Sequence, residues 1–410
     1  MMKKLLALLM ISGAAVLLLN CATEPGKSGK PAEPAAATPG QLAGTAAEMR
    51  DAGPTEEAAQ AAGQQRRISS VEVVFVLDST GSMGALIEGA KRKIWSIANS
   101  VVELQLAPEG RVGLISYRDR KDDYITRVYD LTDDLDTVFR DLQSFTAEGG
   151  GDSPESVNQA LYEAVHLMSW TPRADVLKII FLVGDAPPHM DYPNEVQYPE
   201  ICSAAVQNGL IINTVQCGEH WKTRKIWQEI ARLAAGAYVA LEQSGGEMKI
   251  ITTPYDEDIL RLTAALNQTV VVYGGSELQE LTRSKLAAAE AAPPGVAADR
   301  AAFNLSTGGD VIQGSGDLVA DYKSGLVELD RLEAAGLPPE MRTLSAARRV
   351  EYLEEMQARR DSLNFRLADL NGDRAAFLDR EKQREAGAGR GDAFDVKVTE
   401  ILAEQAARIR

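Results

Sequence analysis

The chain has 410 residues, a formal net charge of −16 and 45% hydrophobic residues. This length exceeds one ordinary domain, and the apolar content can form at least one large core. An acidic chain without a Lys/Arg cluster lacks the basic face that phosphate backbones require, so we expect no nucleic-acid partner. Two folded units with tails are therefore expected.

The first 21 residues carry the features of an export signal. Lys3 and Lys4 precede an apolar run, 5–19, of about 15 residues, which is shorter than the roughly 20 residues of a membrane-spanning helix. Ending at Cys21, the stretch resembles a bacterial lipoprotein signal, and the resemblance implies that Cys21 is lipidated and becomes the mature N-terminus. A plain secretory peptide is the alternative.

The residues after Cys21 predict where the protein lies. Ala22, rather than Asp, follows the cysteine, and by the same resemblance this favours the outer membrane and periplasm over the inner membrane. Residues 22–69 are rich in Ala, Pro, Gly, Glu and Gln and have too few large apolar side chains to offset their ordering entropy. We expect a disordered tether that holds a lipid-anchored protein in the cell envelope.

Between residues 70 and 275, β-rich apolar runs alternate with helical patterns. The predicted strands are 71–77, 112–117, 176–183, 210–216 and 237–241, and the predicted helices are 83–104, 153–170 and 223–236. Strands that are apolar throughout and separated by helices indicate a parallel sheet covered on both faces. The alternating segment 126–132 is predicted as an antiparallel edge strand. The expected class is α/β, with a doubly wound, mostly parallel, Rossmann-like sheet.

Residues 276–410 are predicted to form an α-helical C-terminal region. Side chains recur at spacings of three and four, as in a heptad seam: Leu353, Met356, Arg360, Leu363, Leu367, Leu370, Arg374 and Phe377. Two arginines interrupt this seam, so an intramolecular hairpin or bundle is favoured over a coiled coil between chains. We expect these helices to pack on the preceding domain or on another protein, with breaks at 336–339 and 371–372 and a flexible joint at 381–392.

The stretch FVLDSTGSMG, 75–84, places oxygen donors where the first strand ends. In a doubly wound sheet, ligands bind outside the carboxyl ends of the strands. Asp78, Thr80 and Ser82 can face one point there, and a hard divalent cation prefers such a cluster of oxygen donors. Helix capping by Ser and Thr explains this motif equally well when it is taken alone.

Two further loops bring oxygen donors to the same edge of the predicted sheet. EGGGDSPES, 148–156, contains Asp152, and FLVGDAPPHMD, 181–191, contains Asp185 at the end of a fully apolar strand. Helix capping does not readily explain three such loops. The sequence therefore predicts a metal site formed by Asp78, Thr80, Ser82, Asp152 and Asp185.

These motifs resemble the von Willebrand factor type A domain, and they lie closest to its bacterial and hemicentin-like members. The resemblance covers about residues 70–275 and rests on DSTGSM, YRD, GGGDSPE and GDAPPH. It implies a metal-ion-dependent adhesion site that holds Mg²⁺, or alternatively Mn²⁺ or Ca²⁺. Thr80 and Ser82 would reach the ion through their hydroxyls, and Asp78 and Asp185 partly through water.

Asp152 departs from the integrin-type pattern, which has threonine at this position. A third carboxylate would more than cancel the charge of the ion and weaken its attraction for a partner's carboxylate. Either Asp152 orients water or the Ser82 hydroxyl without touching the ion, or the site holds its metal tightly as a structural clasp.

Five other residues are predicted to line the rim of the site or contact a partner. They are Ser79, Arg118, Asp119, Ser153 and His189. The resemblance gives Arg118 and Asp119 no defined role, so they are interpreted as a pair that fixes loops. His189 is interpreted as a surface side chain rather than a catalytic base. Cys202 and Cys217 are predicted to remain separate thiols, because helix and strand carry them too far apart for a disulfide.

A metal-dependent, membrane-tethered module that binds a protein partner is the predicted function. An envelope scaffold, in which the metal only orders loops, is the first alternative, and a metal-dependent hydrolase is the second. No catalytic residues are predicted, because the sequence shows neither a nucleophile elbow nor a phosphate-binding glycine loop followed by Lys.

Overall fold

A six-stranded sheet lies at the centre of the computed structural model, which describes residues 68–103, 109–151, 153–244, 251–386 and 394–409. The strands are β1 (Ser70–Asp78), β2 (Glu109–Tyr117), β3 (Thr126–Thr132), β4 (Val176–Gly184), β5 (Leu210–Cys217) and β6 (Tyr238–Leu241). Their spatial order is β3-β2-β1-β4-β5-β6, and only the β2–β3 pair is antiparallel. The predicted mostly parallel sheet, with an antiparallel edge strand, is confirmed.

Helices cover both faces of this sheet, because its central strands are apolar on both sides. The first five helices are α1 (Gly84–Glu103), α2 (Leu135–Gln143), α3 (Val157–His166), α4 (Tyr198–Gln207) and α5 (Trp221–Leu233). In β1, Val73 and Phe75 pack with α1 and α2, whereas Val74 and Val76 pack with α3, α4 and α5. The alternation of side chains along a strand thus supplies two separate cores.

Helix α2 was not predicted, although its sequence carries a clear start signal. Asp134 caps the helix, with its Oδ1 accepting a hydrogen bond from the Thr137 backbone N–H at 3.0 Å. Four apolar side chains then follow at helical spacing and are buried: Leu135, Val138, Phe139 and Leu142. Helix α3 is shorter than the predicted 153–170, since residues 153–156 lie in the loop before it.

The C-terminal part of the described chain is helical, as predicted. Its helices are α6 (Asp256–Asn267), α7 (Ser276–Glu290), α8 (Pro294–Ser306), α9 (Leu318–Lys323), α10 (Ala346–Ala386) and α11 (Phe394–Ile409), with three short 3₁₀ turns between residues 329 and 341. The predicted break at 336–339 falls among these turns. Within the described ranges, none of the helices has the length and apolar composition needed to cross a membrane.

The predicted break at 371–372 is wrong, because both residues lie inside α10. A glycine in a helix costs only about 1 kcal/mol relative to alanine, and the helix is anchored on both sides of Gly372. Leu367 and Arg374 are both buried there. The predicted flexible joint at 381–392 is wrong for its first six residues, because α10 continues through Ala386. Residues 387–393 lie outside the described part of the chain.

The seam along α10 faces other helices of the same chain, and its two arginines are buried in ion pairs. The Arg360 guanidinium lies 2.7 Å from Asp317. Arg374 lies 2.8 Å from both Asp256 and Asp299. The charges that interrupt the heptad pattern are therefore compensated within one molecule.

Helices that follow the last strand also contact the sheet and its covering helices. Buried ion pairs join Arg300 of α8 to Asp136 of α2, at 2.6 Å, and Lys285 of α7 to Asp134, at 2.8 Å. Helix α11 packs on the sheet, where its first residue forms an edge-to-face contact with Phe75. All described residues fall within one compact unit of the chain.

Candidate metal centre

The carboxyl ends of β1 and β4 lie side by side at the centre of the sheet. Leu77 of β1 pairs with Val183 of β4, so Asp78 and Asp185 emerge at the same edge. Strands β2 and β3 lie on one side of β1, whereas β4, β5 and β6 lie on its other side. This is a topological switch point, the place where open α/β sheets bind ligands.

The loop after β1 brings three of the predicted ligands together. The Asp78 Oδ1 atom accepts hydrogen bonds from the Thr80 backbone N–H at 2.9 Å and from the Thr80 hydroxyl at 2.7 Å. The Thr80 hydroxyl lies 3.3 Å from the Ser82 hydroxyl. Asp78 is fully buried, and its second oxygen, Oδ2, has no hydrogen-bond partner among the described residues.

Asp185 reaches the same place from the loop after β4. Its Oδ2 accepts a hydrogen bond from the Gln243 side chain at 2.6 Å, and its backbone carbonyl accepts one from the Thr223 hydroxyl at 2.9 Å. Asp185 is half-buried, whereas Ser82 is exposed. The site thus combines buried carboxylate oxygen with hydroxyls that solvent or a partner can reach.

The carboxyl groups at this edge repel one another. Burial raises the pKa of Asp78 to about 7, and the neighbouring Asp185 carboxylate contributes to the shift. Burial also raises the pKa of Glu155 to about 9, with Asp78 as the next cause. Desolvation and like charges both disfavour ionised carboxylates. A cation at this point would offset the repulsion between them.

An open cavity of about 580 Å³ lies at this edge of the sheet. Four of the residues that line it were predicted at the site or at its rim: Thr80, Ser82, Ser153 and Asp185. Glu155 and His220 line it as well. In the described ranges, no group of three or more His, Cys, Asp and Glu side chains forms a metal cluster. The candidate donors instead include the hydroxyls of Thr80 and Ser82.

Two of the predicted site residues, Asp152 and Cys21, lie outside the described part of the chain. The Glu155 carboxylate, which lines the cavity together with Asp185, was not predicted from the sequence. The signal was present, because Glu155 lies only three residues after Asp152 in the same motif. Asp152 was favoured because its position corresponds to a ligand in the resembling family.

Ser79, Arg118 and Asp119 were predicted to line the rim or contact a partner, and all three are buried in this structure. The Ser79 hydroxyl donates to the Tyr117 carbonyl at 2.9 Å. Arg118 donates to the carbonyls of Ser79 and Thr146, while Asp119 accepts from the hydroxyls of Ser156 and Tyr192. Arg118 and Asp119 each bind neighbouring loops and are not paired with each other in these contacts. Ser153, by contrast, is exposed.

His189 was interpreted as a surface side chain, and this is also wrong. Its ring stacks on Tyr192 with centroids 4.0 Å apart, and only 8% of the residue is exposed. Its Nδ1 lies 2.7 Å from Asp191, and its Nε2 lies 3.7 Å from Asp119. The ring thus contacts Asp191 and Tyr192 of its own loop and lies near Asp119 of the loop after β2.

Residues 72–253 match the family model described as von Willebrand factor A domain. This chain therefore carries a von Willebrand factor A domain. The matched segment begins in β1 and ends just before α6, so it includes all six strands and the loops that surround the cavity.

Comparisons with individual proteins are more distant than this match. An ariadne-like RING finger protein of Acanthamoeba polyphaga mimivirus is 24% identical over 217 residues, which are 48% of this chain and 21% of that protein. The chain thus spans about a fifth of the length of this curated relative.

Two solved structures are also similar to the von Willebrand factor A domain of this chain. The VWA domain of SpRpn10 has 15% identity and a TM-score of 0.34, covering 44% of this chain and 92% of its own. Proximal thread matrix protein 1 from the mussel byssus, with a zinc occupied MIDAS motif, has 15% identity and a TM-score of 0.34. The match covers 43% of this chain and 42% of that chain. The zinc is a property of that protein.

Proposed function

We propose that the von Willebrand factor A domain binds a protein partner and that this binding depends on a divalent cation. The observation that carries the proposal is the Oδ2 atom of Asp78, which is buried and has no hydrogen-bond partner in the described part of the chain. Its neighbours Thr80 and Asp185 line an open cavity. A buried carboxylate oxygen without a partner is costly unless a proton or a cation compensates it.

The donors at the site favour a hard cation. Asp78, Asp185, Thr80 and Ser82 offer only oxygen atoms, which suit Mg²⁺ and also Mn²⁺ or Ca²⁺. Asp78 would contribute charge from inside the protein, and the exposed Ser82 hydroxyl would hold the ion from the solvent side. Water completes the coordination of such ions, so a partner can replace it.

The rim of the cavity also supports a role in binding proteins. Trp221 follows His220, which lines the cavity, and 66% of Trp221 is exposed. The Lys222 ammonium lies 5.8 Å from the centre of the indole ring. Exposed tryptophan is a frequent anchor in protein interfaces. A partner that extends from the cavity onto the start of α5 would contact this side chain.

Lipid attachment at Cys21 is the second part of the proposal. It is supported by the export signal and by the polar composition of residues 22–69, which suits a tether between a lipid and a folded domain. The protein would then be held in the cell envelope, with the outer membrane and periplasm favoured. Membrane fractionation of a Cys21→Ser variant tests this part.

Calorimetric titration of the full chain with Mg²⁺ and Mn²⁺ tests the ion. We expect one ion for each chain, and we expect the Asp78→Asn variant to lose this uptake, because the amide keeps the shape of the side chain but removes its charge. Asp369→Asn is the matched control, since Asp369 is exposed on α10. Absence of uptake by the unmodified chain would contradict the proposal.

Partner binding is tested with the same variants. The immobilised chain is exposed to cell-envelope proteins in Mg²⁺ and in chelator, and we expect a set of partners that is lost in chelator and with Asp78→Asn. Partners that bind equally well in every condition would favour the envelope scaffold, in which the ion only orders loops.

A further inference from the structure

Helix α5 carries a basic, solvent-exposed face on an acidic protein. Its exposed residues are Trp221, Lys222, Arg224, Lys225, Gln228 and Arg232. Glu229 is the one carboxylate within the helix, and the exposed Glu219 lies two residues before it. Four cations and two carboxylates give residues 219–232 a formal net charge of +2, whereas the whole chain carries −16. The helix is therefore a local positive surface on a negative molecule.

The exposed side chains lie along one side of α5. Spacings of four, three and four residues define a single row on the helix: Trp221, Lys225, Gln228 and Arg232. At a rise of 1.5 Å per residue, this row is about 16 Å long. The opposite side of the helix packs on the sheet, where Trp227 and Ile230 are fully buried. The buried side anchors the helix and leaves the row facing solvent.

The positive charges of this face are not used within the described part of the chain. No ion pair or side-chain hydrogen bond joins Arg224, Lys225 or Arg232 to another described residue. Glu229 does not neutralise them, because its carboxylate instead accepts a hydrogen bond from the Tyr198 hydroxyl at 3.0 Å. These cations are therefore available to another molecule.

Helix α5 begins at the candidate metal centre. The Thr223 hydroxyl donates to the Asp185 carbonyl at 2.9 Å, and the Gln216 amide donates to the His220 carbonyl at 2.9 Å. His220 itself lines the cavity. Because β5 and β6 are parallel, the helix between them runs from the carboxyl edge of the sheet towards its amino edge. The row thus starts with Trp221 beside the cavity and leads away from it.

We propose that this face of α5 binds an acidic segment of the partner protein, which deepens the proposed function and rests on it. Charge complementarity is the reason, since carboxylates would meet Lys225 and Arg232 while the exposed indole of Trp221 supplies an apolar anchor. An extended peptide advances about 3.3 Å per residue, so about five residues cover the row.

A membrane surface fits α5 less well than a protein segment does. Helices that lie in a membrane insert a face of large apolar side chains, but within Trp221–Leu233 only Trp221 exposes one. A long polyanion would extend beyond the row over a chain of net charge −16, where like charges oppose it. A short acidic segment stays within the positive face.

A dye-labelled hexapeptide of glutamate and leucine tests this face on the full chain, with fluorescence anisotropy as the measurement. The titration is made in chelator, so that the candidate metal centre does not contribute. We expect this peptide to bind at least about ten-fold more tightly than one with glutamine in place of glutamate, and we expect added salt to weaken its binding.

Charge reversal locates the binding surface. Lys225→Glu combined with Arg232→Glu should weaken binding of the acidic peptide by about ten-fold or more, because like charges then face each other. Arg366→Glu combined with Arg380→Glu is the matched control, since it makes the same charge change at exposed positions of α10. This control should bind within about two-fold of the unmodified chain, because salt screens distant charges. If the α5 variant does not fold, Lys225→Gln with Arg232→Gln replaces it.

The outcomes separate the α5 surface from the function on which it rests. Equal affinity for the two peptides, or equal binding by the α5 and α10 variants, would overturn the proposal. So would binding to phosphatidylglycerol vesicles without binding to the acidic peptide, because α5 would then be a membrane surface. Calorimetric uptake of Mg²⁺ without peptide binding sinks only the α5 surface. Peptide binding without Mg²⁺ uptake sinks the cation-dependent function and leaves α5 as a binding surface.

Discussion

Gly184 allows β1 and β4 to approach closely at the candidate metal centre. A Cβ atom at this position would lie 2.5 Å from the Tyr117 hydroxyl and 2.9 Å from the Asp78 Cβ. Both distances are shorter than any ordinary contact, and Tyr117 and Asp78 are fully buried. The last residue of β4 must therefore lack a side chain if Asp78 and Asp185 are to face one point.

Gly184→Ala should destabilise the fold and weaken ion binding together. Adding a methyl group to a packed core costs about 1–3 kcal/mol, and relief of the clash would displace Asp78. Urea unfolding measures the first effect and calorimetry with Mg²⁺ the second. Gly275→Ala is the control, because a Cβ there meets nothing within 4 Å and Gly275 does not line the cavity. Equal stability of the two variants would contradict this account of Gly184.

Helix α10 is held in place by side chains that are buried at intervals from Leu353 to Arg374. Asn371 and Gly372, which favour a helix break, lie within its 41 residues. Buried side chains on either side of this pair pack against α6, α8 and α9 and keep the helix continuous. Two of these are arginines, and their charges require the acidic residues that face them. The helix thus depends on tertiary partners more than on its own sequence.

Arg360→Ala should strongly destabilise the helical part of the protein. Arg360 and Asp317 are both almost fully buried, and removing one partner of a buried ion pair costs about 3–5 kcal/mol. The Arg360 guanidinium also donates to the Thr269 hydroxyl and carbonyl, which would lose their donors.

Thermal and urea unfolding measure this loss, with Arg366→Ala as the control. Arg366 lies on the exposed side of the same helix, where substitutions change stability by no more than about 0.5 kcal/mol. A small effect of Arg360→Ala, comparable to that of the control, would mean that the ion pair does not stabilise the fold.

The sheet and the C-terminal helices unite into one structure. Helix α11 follows more than 100 residues of intervening chain, yet it packs on the sheet beside α1. Its Gln405 side chain exchanges two hydrogen bonds with Asn213 in β5, at 2.6 and 3.1 Å. The candidate metal centre lies at the carboxyl edge of this sheet, and no described residue of these helices lines its cavity.

Removal of Cys21, the proposed acyl site, should change where the protein lies without changing the folded domain. We expect Cys21→Ser to move from the membrane fraction to the soluble fraction, because a lipid chain contributes about 0.8 kcal/mol of membrane affinity for each buried CH₂. Calorimetry should show unchanged Mg²⁺ uptake. A variant that stays in the membrane fraction would contradict lipid anchoring through Cys21.

Local pattern was enough to place most of the sheet. Continuous apolar runs predicted the strands to within three residues, because central parallel strands are buried on both faces. The alternating segment 126–132 was correctly placed at the edge. The same reasoning located Asp78 and Asp185, since a carboxylate directly after such a strand must emerge at its carboxyl end.

Contacts between distant segments decided the rest. The burial of His189 and Arg118 depends on loops far apart in the chain, and no local pattern shows which polar side chain will find partners inside. Glu155 lines the cavity because main-chain hydrogen bonds attach it to the loop after β4. Residue order alone determines which groups emerge at the end of a strand, whereas hydrogen bonding and burial across the fold determine which of them face one another.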